Sequence, residues 1–163
     1  MPTKNNIVLA IDPGFDRLGW AVGEVKNRKV TVLGYGCIQT DKKEQIFPRY
    51  SQIIKDLKLI VESYHPQVLA IEELFFSKNT KTAMRVSEVR GVIIGLLLAE
   101  NLEVFEYHPN TIKQAVTGNG HADKTGIDKM VRLQLKIKNE KIIDDTIDAL
   151  AILLTHAVSF VIT

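Results

Sequence analysis

Residues 7–39, IVLAIDPGFDRLGWAVGEVKNRKVTVLGYGCIQ, decide the fold that this sequence predicts. The first run, residues 7–11, consists of β-branched and aliphatic residues and is typical of a strand buried on both faces. Residues 17–25 and 29–39 alternate or stay apolar, and the polar residues 26–28 between them indicate a turn. The stretch therefore predicts three antiparallel strands in succession.

The rest of the chain alternates between helix and strand patterns. Apolar residues recur at helical spacing over residues 47–64 and predict an amphipathic helix. A strand at 68–71, a long helix at about 80–100 and a strand at 102–107 predict parallel pairing with a right-handed crossover. A short helix at 110–116, a flexible loop or loosely held turn at 117–126 and helices near 124–137 and 145–158 follow.

These elements predict an α/β fold with a mixed five-stranded sheet and helices on both faces, in the order of the ribonuclease H-like fold. A wholly parallel, doubly wound sheet is the alternative, but it fits only the second half of the chain. A length of 163 residues with 45% hydrophobic residues is suited to a single domain, residues 1–163.

Charge and cysteine content restrict the partners and the compartment. The net charge of +2 permits a nucleic-acid partner without requiring one. The single cysteine, Cys37, excludes an intrachain disulfide and a cysteine-based zinc site. Because no apolar stretch matches a signal peptide or the ~20 residues of a membrane span, a cytoplasmic location is expected.

Carboxylates stand at the ends of three predicted elements. Asp12 follows the first strand and Glu72 follows the strand at 68–71, while Asp145 and Asp148 are one helical turn apart. Four carboxylates brought together repel by about 4 kcal/mol per pair at about 4 Å and an effective dielectric of about 20, so a cation must offset them. Oxygen ligands suit Mg²⁺ or Mn²⁺, and a pair of such ions can hydrolyse a phosphodiester.

Each acid also has an ordinary explanation. Asp12 could begin a turn, and Glu72 beside Glu73 could be a solvated strand end. Asp145 and Asp148 could be a helix N-cap and its capping-box partner, worth ~1 kcal/mol of stability. The coincidence of all of them on three different elements favours the metal site.

Five motifs, in this order, closely resemble the RuvC family of Holliday-junction endonucleases from Ile7 to His156: IDPG, AIEELFFSKN, EVRG, VFEYHPNTIKQAVTGNGHADK and DDTIDALAILLTH. The resemblance implies a structure-selective endonuclease that resolves Holliday junctions in DNA recombination and repair by metal-dependent hydrolysis in two strands. The oxygen ligands predict two Mg²⁺ ions per site, with Mn²⁺ as a substitute. The resemblance implies that Asp12, Glu72, Asp145 and Asp148 hold the metal. The adjacent acids Glu73 and Asp144 leave open which carboxylates share the ligand roles.

Basic residues flank the acids in the sequence. Residues 113–141 contain seven basic and three acidic residues, and the resemblance places Lys113 and Lys124 near the scissile phosphate as catalytic and DNA-binding residues. Residues 76–91 contain four basic residues and one acid, which makes Lys78, Lys81 and Arg85 candidate DNA contacts. A solvated helix face is the alternative for this second segment.

Aromatic residues follow the acidic end of the strand at 68–71. Phe75 and Phe76 lie where the chain should leave the sheet, and an exposed ring there could stack on or wedge beside an unpaired base. The resemblance favours Phe75 for this role. Filling the core beneath the loop is the alternative, more so for Phe76.

The helix predicted at 80–100 contains VIIGLLLA, residues 92–99, and is apolar nearly all round. It requires burial on more than one side, in the middle of the domain or against a partner subunit. The resemblance implies a homodimer, whose two-fold axis would match that of a four-way junction, and branch-migration proteins as further partners.

Two rival functions remain at this point. A non-catalytic junction-binding module would use the acids as caps or keep them as relics. The D-x-G-x-x-x-x-G spacing of Asp12, Gly14 and Gly19 also resembles the phosphate-binding turn of actin-like ATPases. Those proteins need a second such turn from a second domain, and the chain has no further D-x-G motif.

Overall fold

The computed structural model describes residues 6–75, 80–138 and 140–159. These ranges contain five strands and five helices, in the order β1 (Asn6–Asp12), β2 (Arg17–Lys26), β3 (Lys29–Gln39), α1 (Ile46–Tyr64), β4 (Val68–Glu72), α2 (Thr80–Ala99), β5 (Glu103–Tyr107), α3 (Pro109–Thr117), α4 (Lys124–Leu135) and α5 (Asp144–Ser159). The strands form one sheet in the order β3-β2-β1-β4-β5.

The sheet is mixed, as the sequence predicts. β1 pairs antiparallel with β2, which pairs antiparallel with β3, whereas β1 pairs parallel with β4 and β4 with β5. Because Ile11 pairs with Ile71, the carboxyl ends of the two central strands meet at one edge of the sheet. That edge is where open α/β sheets carry their sites.

The two faces of the sheet carry separate cores. Leu9 and Ile11 pack in the core that α1 and α2 cover, whereas Val8 and Ala10 pack in the core of α3, α4 and α5. All four side chains are fully buried. Burial on both faces explains why β1 is apolar at consecutive positions instead of alternating.

The turn around α3 and α4 is more ordered than its glycines predict. α3 begins at Pro109, with the His108 side chain accepting a hydrogen bond from the Asn110 backbone N–H, and ends at Gly118 with φ of 75°. Asn119 then accepts a hydrogen bond from the His121 backbone N–H through its side chain, and Asp123 caps α4. Of the two predictions for 117–126, a flexible loop or a loosely held turn, the structure shows a turn, held by hydrogen bonds and followed by the first residues of α4.

Helix α2 is buried on one side only. Its buried residues are Ala83, Val89, Ile93 and Leu97. On the other side Met84 is 69% exposed and Leu98 54% exposed, and a Cβ placed on Gly91 or Gly95 would meet no atom within 4 Å. The expectation that α2 could lie in the middle of the domain is wrong, because the described chain covers only one of its apolar sides.

A buried polar pair links β5 to α5. The Tyr107 hydroxyl lies 2.7 Å from Nδ1 of His156. Burial raises the pKa of Tyr107 to about 12 and lowers the pKa of His156 to about 4, so both are neutral near pH 7.

Among the helices that the structure describes, none is long and apolar enough to cross a membrane.

Candidate active site

The two strand acids lie side by side at the carboxyl edge of the sheet. Asp12 is the last residue of β1 and Glu72 the last residue of β4, one position beyond the pair formed by Ile11 and Ile71. Both side chains are partly buried, since the strands that carry them are covered on both faces. The sheet thus supplies half of the predicted acid cluster.

Helix α5 supplies the other half because Gly19 lets it approach β2. Gly19 pairs with Asp12 across the β1–β2 ladder, and a Cβ on Gly19 would lie only 1.8 Å from the backbone oxygen of Asp145. The Thr146 hydroxyl donates to the Gly36 carbonyl oxygen at 2.9 Å and holds the same turn against β3. Any side chain at position 19 would therefore push the first turn of α5, and Asp145 with it, away from Asp12.

The capping alternative does not describe Asp145. Helix α5 begins at Asp144, so Asp145 is inside the first turn rather than at the N-cap. Its Oδ2 atom lies 3.0 Å from Nε of Arg17 at the start of β2. The side chain is directed toward the sheet edge, where Asp148 joins it one turn later.

The acids are close enough to change each other's protonation. Burial raises the pKa of Asp12 to about 8, and the charges of Asp148, Glu72 and Asp145 add to this shift. Burial also raises the pKa of Glu72, with a further contribution from Asp148. The pKa of Asp148 is raised by burial and by Asp145 and Asp144, against an opposing effect of Lys124. The structure thus brings all four predicted acids into one electrostatic cluster.

Both predicted catalytic lysines face this cluster. Lys113 on α3 acts to lower the pKa of Glu72, and Lys124, the first residue of α4, acts to lower those of Asp12 and Asp148. Both lysines line a cavity of about 290 Å³ with Glu72 and Asp148. The ordered turn between α3 and α4 fixes the separation of the two lysines.

Arg17 is a site residue that sequence reasoning did not single out. Its Nε atom lies within ion-pair distance of Oδ2 of Asp145, yet that oxygen is buried and accepts no hydrogen bond of acceptable geometry in the described residues. In the sequence, an arginine at the start of a strand cannot be distinguished from an ordinary solvated charge. Its partner Asp145 becomes evident only from the position of α5. The only sequence signal was its position shortly after the Asp12 turn.

Arg90 belongs to the basic segment 76–91, and the sequence gives it no more specific role. Its Nε atom donates to the backbone oxygen of Glu72 at 3.3 Å, and its Nη2 atom pairs with Glu106 on β5. It therefore ties α2 to the strand end that carries the acid, and we assign it a positioning role.

The donor set fits a hard divalent cation. Among residues 6–75, 80–138 and 140–159, no three acidic, histidine or cysteine side chains converge closely enough to hold an ion as they stand. The cluster nevertheless contains a buried, unsatisfied carboxylate oxygen on Asp145 and carboxyl groups whose pKa values burial and mutual repulsion raise. A divalent cation would relieve both, provided that Asp145 exchanges its contact with Arg17 for the ion.

The neighbouring acids differ from the four in the cluster. Glu73 donates its backbone N–H to the Tyr107 carbonyl at 2.9 Å, which extends the β4–β5 pairing past Glu72. Asp144 is exposed and contributes to the raised pKa of Asp148. Asp144 lies within the electrostatic reach of the site, but its side chain is at the outer rim.

The predicted DNA contacts are distributed around this edge. Phe75 is 57% exposed, as expected, and its ring packs edge-on against His108 with centroids 4.4 Å apart. Lys81 is exposed in the first turn of α2. Arg85 pairs with Glu88 at 3.1 Å, so its charge is already partly balanced. The predictions for Lys78 and for Phe76 lie outside the described residues.

Known proteins share this architecture. The family described as Crossover junction endodeoxyribonuclease RuvC matches residues 8–156. Relatives with that name are 47% identical in Brachyspira hyodysenteriae, over 93% of both chains, and 41% identical in Petrotoga mobilis, over 92% of both.

Solved structures agree with this match. The structure titled "T. thermophilus RuvC in complex with Holliday junction substrate" is 33% identical over 93% of each chain, with a TM-score of 0.86. A yeast mitochondrial Holliday junction resolvase, 14% identical over 94% of this chain and 78% of its own, shares the fold with a TM-score of 0.68. The ribonuclease H-like fold of the sequence prediction is thus confirmed. Strand order, acid cluster and sequence together place this chain in the RuvC family of crossover junction endodeoxyribonucleases.

Proposed function

We propose that this chain is a structure-selective endonuclease that cuts two strands of a four-way DNA junction by metal-dependent hydrolysis, and that its whole sequence forms one nuclease domain. The observation that carries the proposal is the convergence of Asp12, Glu72, Asp145 and Asp148 at one sheet edge beside two lysines. Membership of the RuvC family indicates a four-way junction as the substrate. The setting is DNA recombination and repair in the cytoplasm.

The four acids would hold the metal. Magnesium ions bound there, two per site and replaceable by manganese, would supply the Lewis acidity that activates a water and stabilises the leaving oxygen of a phosphodiester. Asp12 comes from a strand that is hydrogen-bonded on both sides, so its carboxylate is held in position. Asp145 and Asp148 share one helix face and approach the same edge from α5.

The lysines would bind the DNA backbone at the cut. Lys113 and Lys124 already act on the charges of the acid cluster, so a phosphate placed over the acids would lie within reach of both ammonium groups. Their charge would stabilise the negative charge that develops on the phosphate oxygens during hydrolysis.

Phe75 and α2 would contact the junction farther from the cut. The exposed Phe75 ring lies three residues after Glu72, where stacking on one base is worth about 1–3 kcal/mol. Lys78 and Lys81 would contact phosphates near the start of α2. Arg85 is a weaker contact because of its pairing with Glu88.

A homodimer would cover the exposed side of α2. Met84, Gly91, Gly95 and Leu98 recur at spacings of seven, four and three, which place them on one helix face. The two glycines allow a second helix to approach closely, since nothing occupies the space beside them. A two-fold dimer would place one acid cluster on each of two junction strands. Branch-migration proteins are further partners that family membership suggests.

The decisive experiment compares substrates. The purified protein, with Mg²⁺ or Mn²⁺, is expected to cut a synthetic four-way junction and to leave linear duplex and flap DNA intact. Cleavage of every substrate alike would contradict junction selectivity. Binding of the junction without cleavage in both metals would support the non-catalytic module instead, and ATP turnover without DNA would support the actin-like alternative.

Two variants test the assigned roles. Asp145→Asn and Glu72→Gln remove one carboxylate charge each and keep the side-chain size. Both are expected to bind the junction while the cleavage rate falls by about a hundredfold or more. Full activity in either variant would refute its role as a metal ligand.

A further inference from the structure

A groove lies beside Asp145 and shares no lining residue with the cavity of the two lysines. Its volume is about 490 Å³, and its walls come from the β1–β2 turn, the end of β3 and the start of α2. The lining includes Arg17, Gln39, Thr40, Lys42, Thr82 and Asp145. We call it the Arg17 groove.

The charge of the Arg17 groove is positive apart from the acid cluster. Asp16, the acid on its wall, is paired with both Lys42 at 3.3 Å and the buried Arg49. Although burial opposes the shift, these partners lower the pKa of Asp16, so it stays ionised and balanced. Arg17 is therefore left with Asp145 as its only ion-pair partner among the described residues.

Arg17 can exchange that partner. Its side chain is 53% exposed, and its Nε atom lies 3.0 Å from Oδ2 of Asp145 without making a hydrogen bond to that buried oxygen. A guanidinium carries five N–H donors in a planar fork that suits phosphate. Once a divalent cation takes the Asp145 carboxylate, an unbalanced positive charge remains at the mouth of the groove.

The Arg17 groove and the lysine cavity bracket the acids. Lys113 and Lys124 lie on the side of Glu72 and Asp148, whereas Arg17 lies on the side of Asp145. A DNA strand whose scissile phosphate lies over the acids must continue in both directions. On one side it would meet the lysines, and on the other it would enter the Arg17 groove.

We propose that Arg17 binds a backbone phosphate of the cleaved strand in the Arg17 groove, on the side of the cut away from Lys113 and Lys124, after releasing Asp145. This inference rests on the proposed junction cleavage and adds to it a second backbone contact that fixes the strand across the acids. Arg17 is thus a substrate-positioning residue.

The test measures junction binding with Mg²⁺ in a Lys113→Gln parent, which keeps all four acids of the metal site and is expected to cut slowly because one charge at the cut is lost. Arg17→Gln removes the charge, Arg17→Lys keeps it, and Lys26→Gln removes an equal charge from the exposed far end of the same strand. Affinity is measured over a range of salt concentrations. Junctions carrying a single neutral methylphosphonate are then scanned along the cleaved strand on both sides of the cut.

Arg17→Gln is expected to weaken binding by about threefold to tenfold and to reduce the salt slope by about 0.9, because one phosphate contact is lost. A methylphosphonate at one position beside the cut should weaken junction binding by the parent and leave junction binding by Arg17→Gln unchanged. Arg17→Lys should keep the parental salt slope, and Lys26→Gln should match the parent throughout.

A salt slope for Arg17→Gln equal to that of Lys26→Gln would overturn the inference and leave Arg17 as a balance for Asp145. The inference would also fail if every methylphosphonate that weakens junction binding by the parent weakened binding by Arg17→Gln as well. A parent that binds the junction no better than linear duplex contradicts the proposed function and the inference together, so the two failures are distinguishable.

Discussion

Helices α2 and α5 are both rich in apolar residues, but the chain uses them differently. Helix α5 has eleven buried residues, from Thr146 to Ala157, and packs across the sheet. Helix α2 is longer yet has four, and it leaves Met84 and Leu98 exposed. Asp145 and Asp148 lie on α5, which is buried on most sides, whereas the exposed apolar face belongs to α2, which is buried on one side.

The difference shows what an apolar helix can mean. A helix that is buried against several elements positions side chains accurately, because each small shift costs packing energy at many contacts. A helix that is buried along one stripe keeps a surface for another molecule. Composition alone does not distinguish the two cases, and the following variants test them.

The largest expected effect concerns the contact of α5 with the sheet. Gly19→Ala places a Cβ where the Asp145 backbone oxygen now lies, so the free energy of unfolding should fall by about 3 kcal/mol, measured by urea denaturation. Junction cleavage should fall as well, since Asp145 moves away from Asp12.

The matched control is Gly91→Ala on the open side of α2, where a Cβ meets no atom within 4 Å. It should change the free energy of unfolding of the monomer by no more than about 1 kcal/mol, and in the stabilising direction. Equal losses at the two glycines would contradict the difference drawn between the two helices.

The next effect concerns the pH dependence of the stability that buried His156 on α5 contributes. Burial lowers the pKa of His156 from 6.5 to about 4, so between these values the unfolded chain binds a proton that the folded chain does not. This contribution to stability is present above pH 6.5 and is lost as the pH falls toward 4. Wild-type protein should lose up to about 3 kcal/mol more than His156→Gln over this range.

Chemical denaturation at several pH values measures that difference. His121→Gln, at an exposed position in the turn before α4, serves as the control and should follow the wild type. If the free energy of unfolding changed with pH equally in the wild type and in His156→Gln, the histidine would not be buried in its neutral form.

The smallest effect on stability is expected on the exposed face of α2. Leu98→Lys should change the free energy of unfolding of the monomer by about 0.5 kcal/mol or less, because Leu98 is already 54% exposed. The same variant should convert the proposed dimer to a monomer in light scattering at micromolar concentration. Leu59→Lys on α1, 52% exposed, is the control and should remain dimeric. A monomeric wild type would remove the dimer proposal.

Much of the fold was predictable because local pattern and tertiary environment agree. The unbroken apolar run of β1 reflects burial on both faces, and the acids follow strands whose parallel pairing brings their ends together. Asp145 and Asp148 could be paired from their spacing alone. Lys113 and Lys124 depended on family resemblance, since no local rule distinguishes them from solvated lysines.

The remainder depended on contacts between distant segments. In the sequence, Gly19 shows only a spacing shared with ATPases, because the reason for a glycine there is the approach of a helix more than a hundred residues away. The glycines of the turn after α3 indicate flexibility, whereas the side chains of Asn119 and Asp123 accept hydrogen bonds from backbone N–H groups and order the turn. The open side of α2 could not be known without the packing of α1 against it.

The position of α5 in the chain has a consequence for protein synthesis. A ribosome makes Asp12 and Glu72 long before Asp145 and Asp148, and a fragment that stops before residue 144 has the strand acids without the helix that completes the set. Such a fragment also leaves one apolar face of its sheet without the cover of α5. With the proposed metal site, incomplete products would lack two of the four ligands and would not cut DNA, and their exposed apolar face would make them targets of chaperones and proteases.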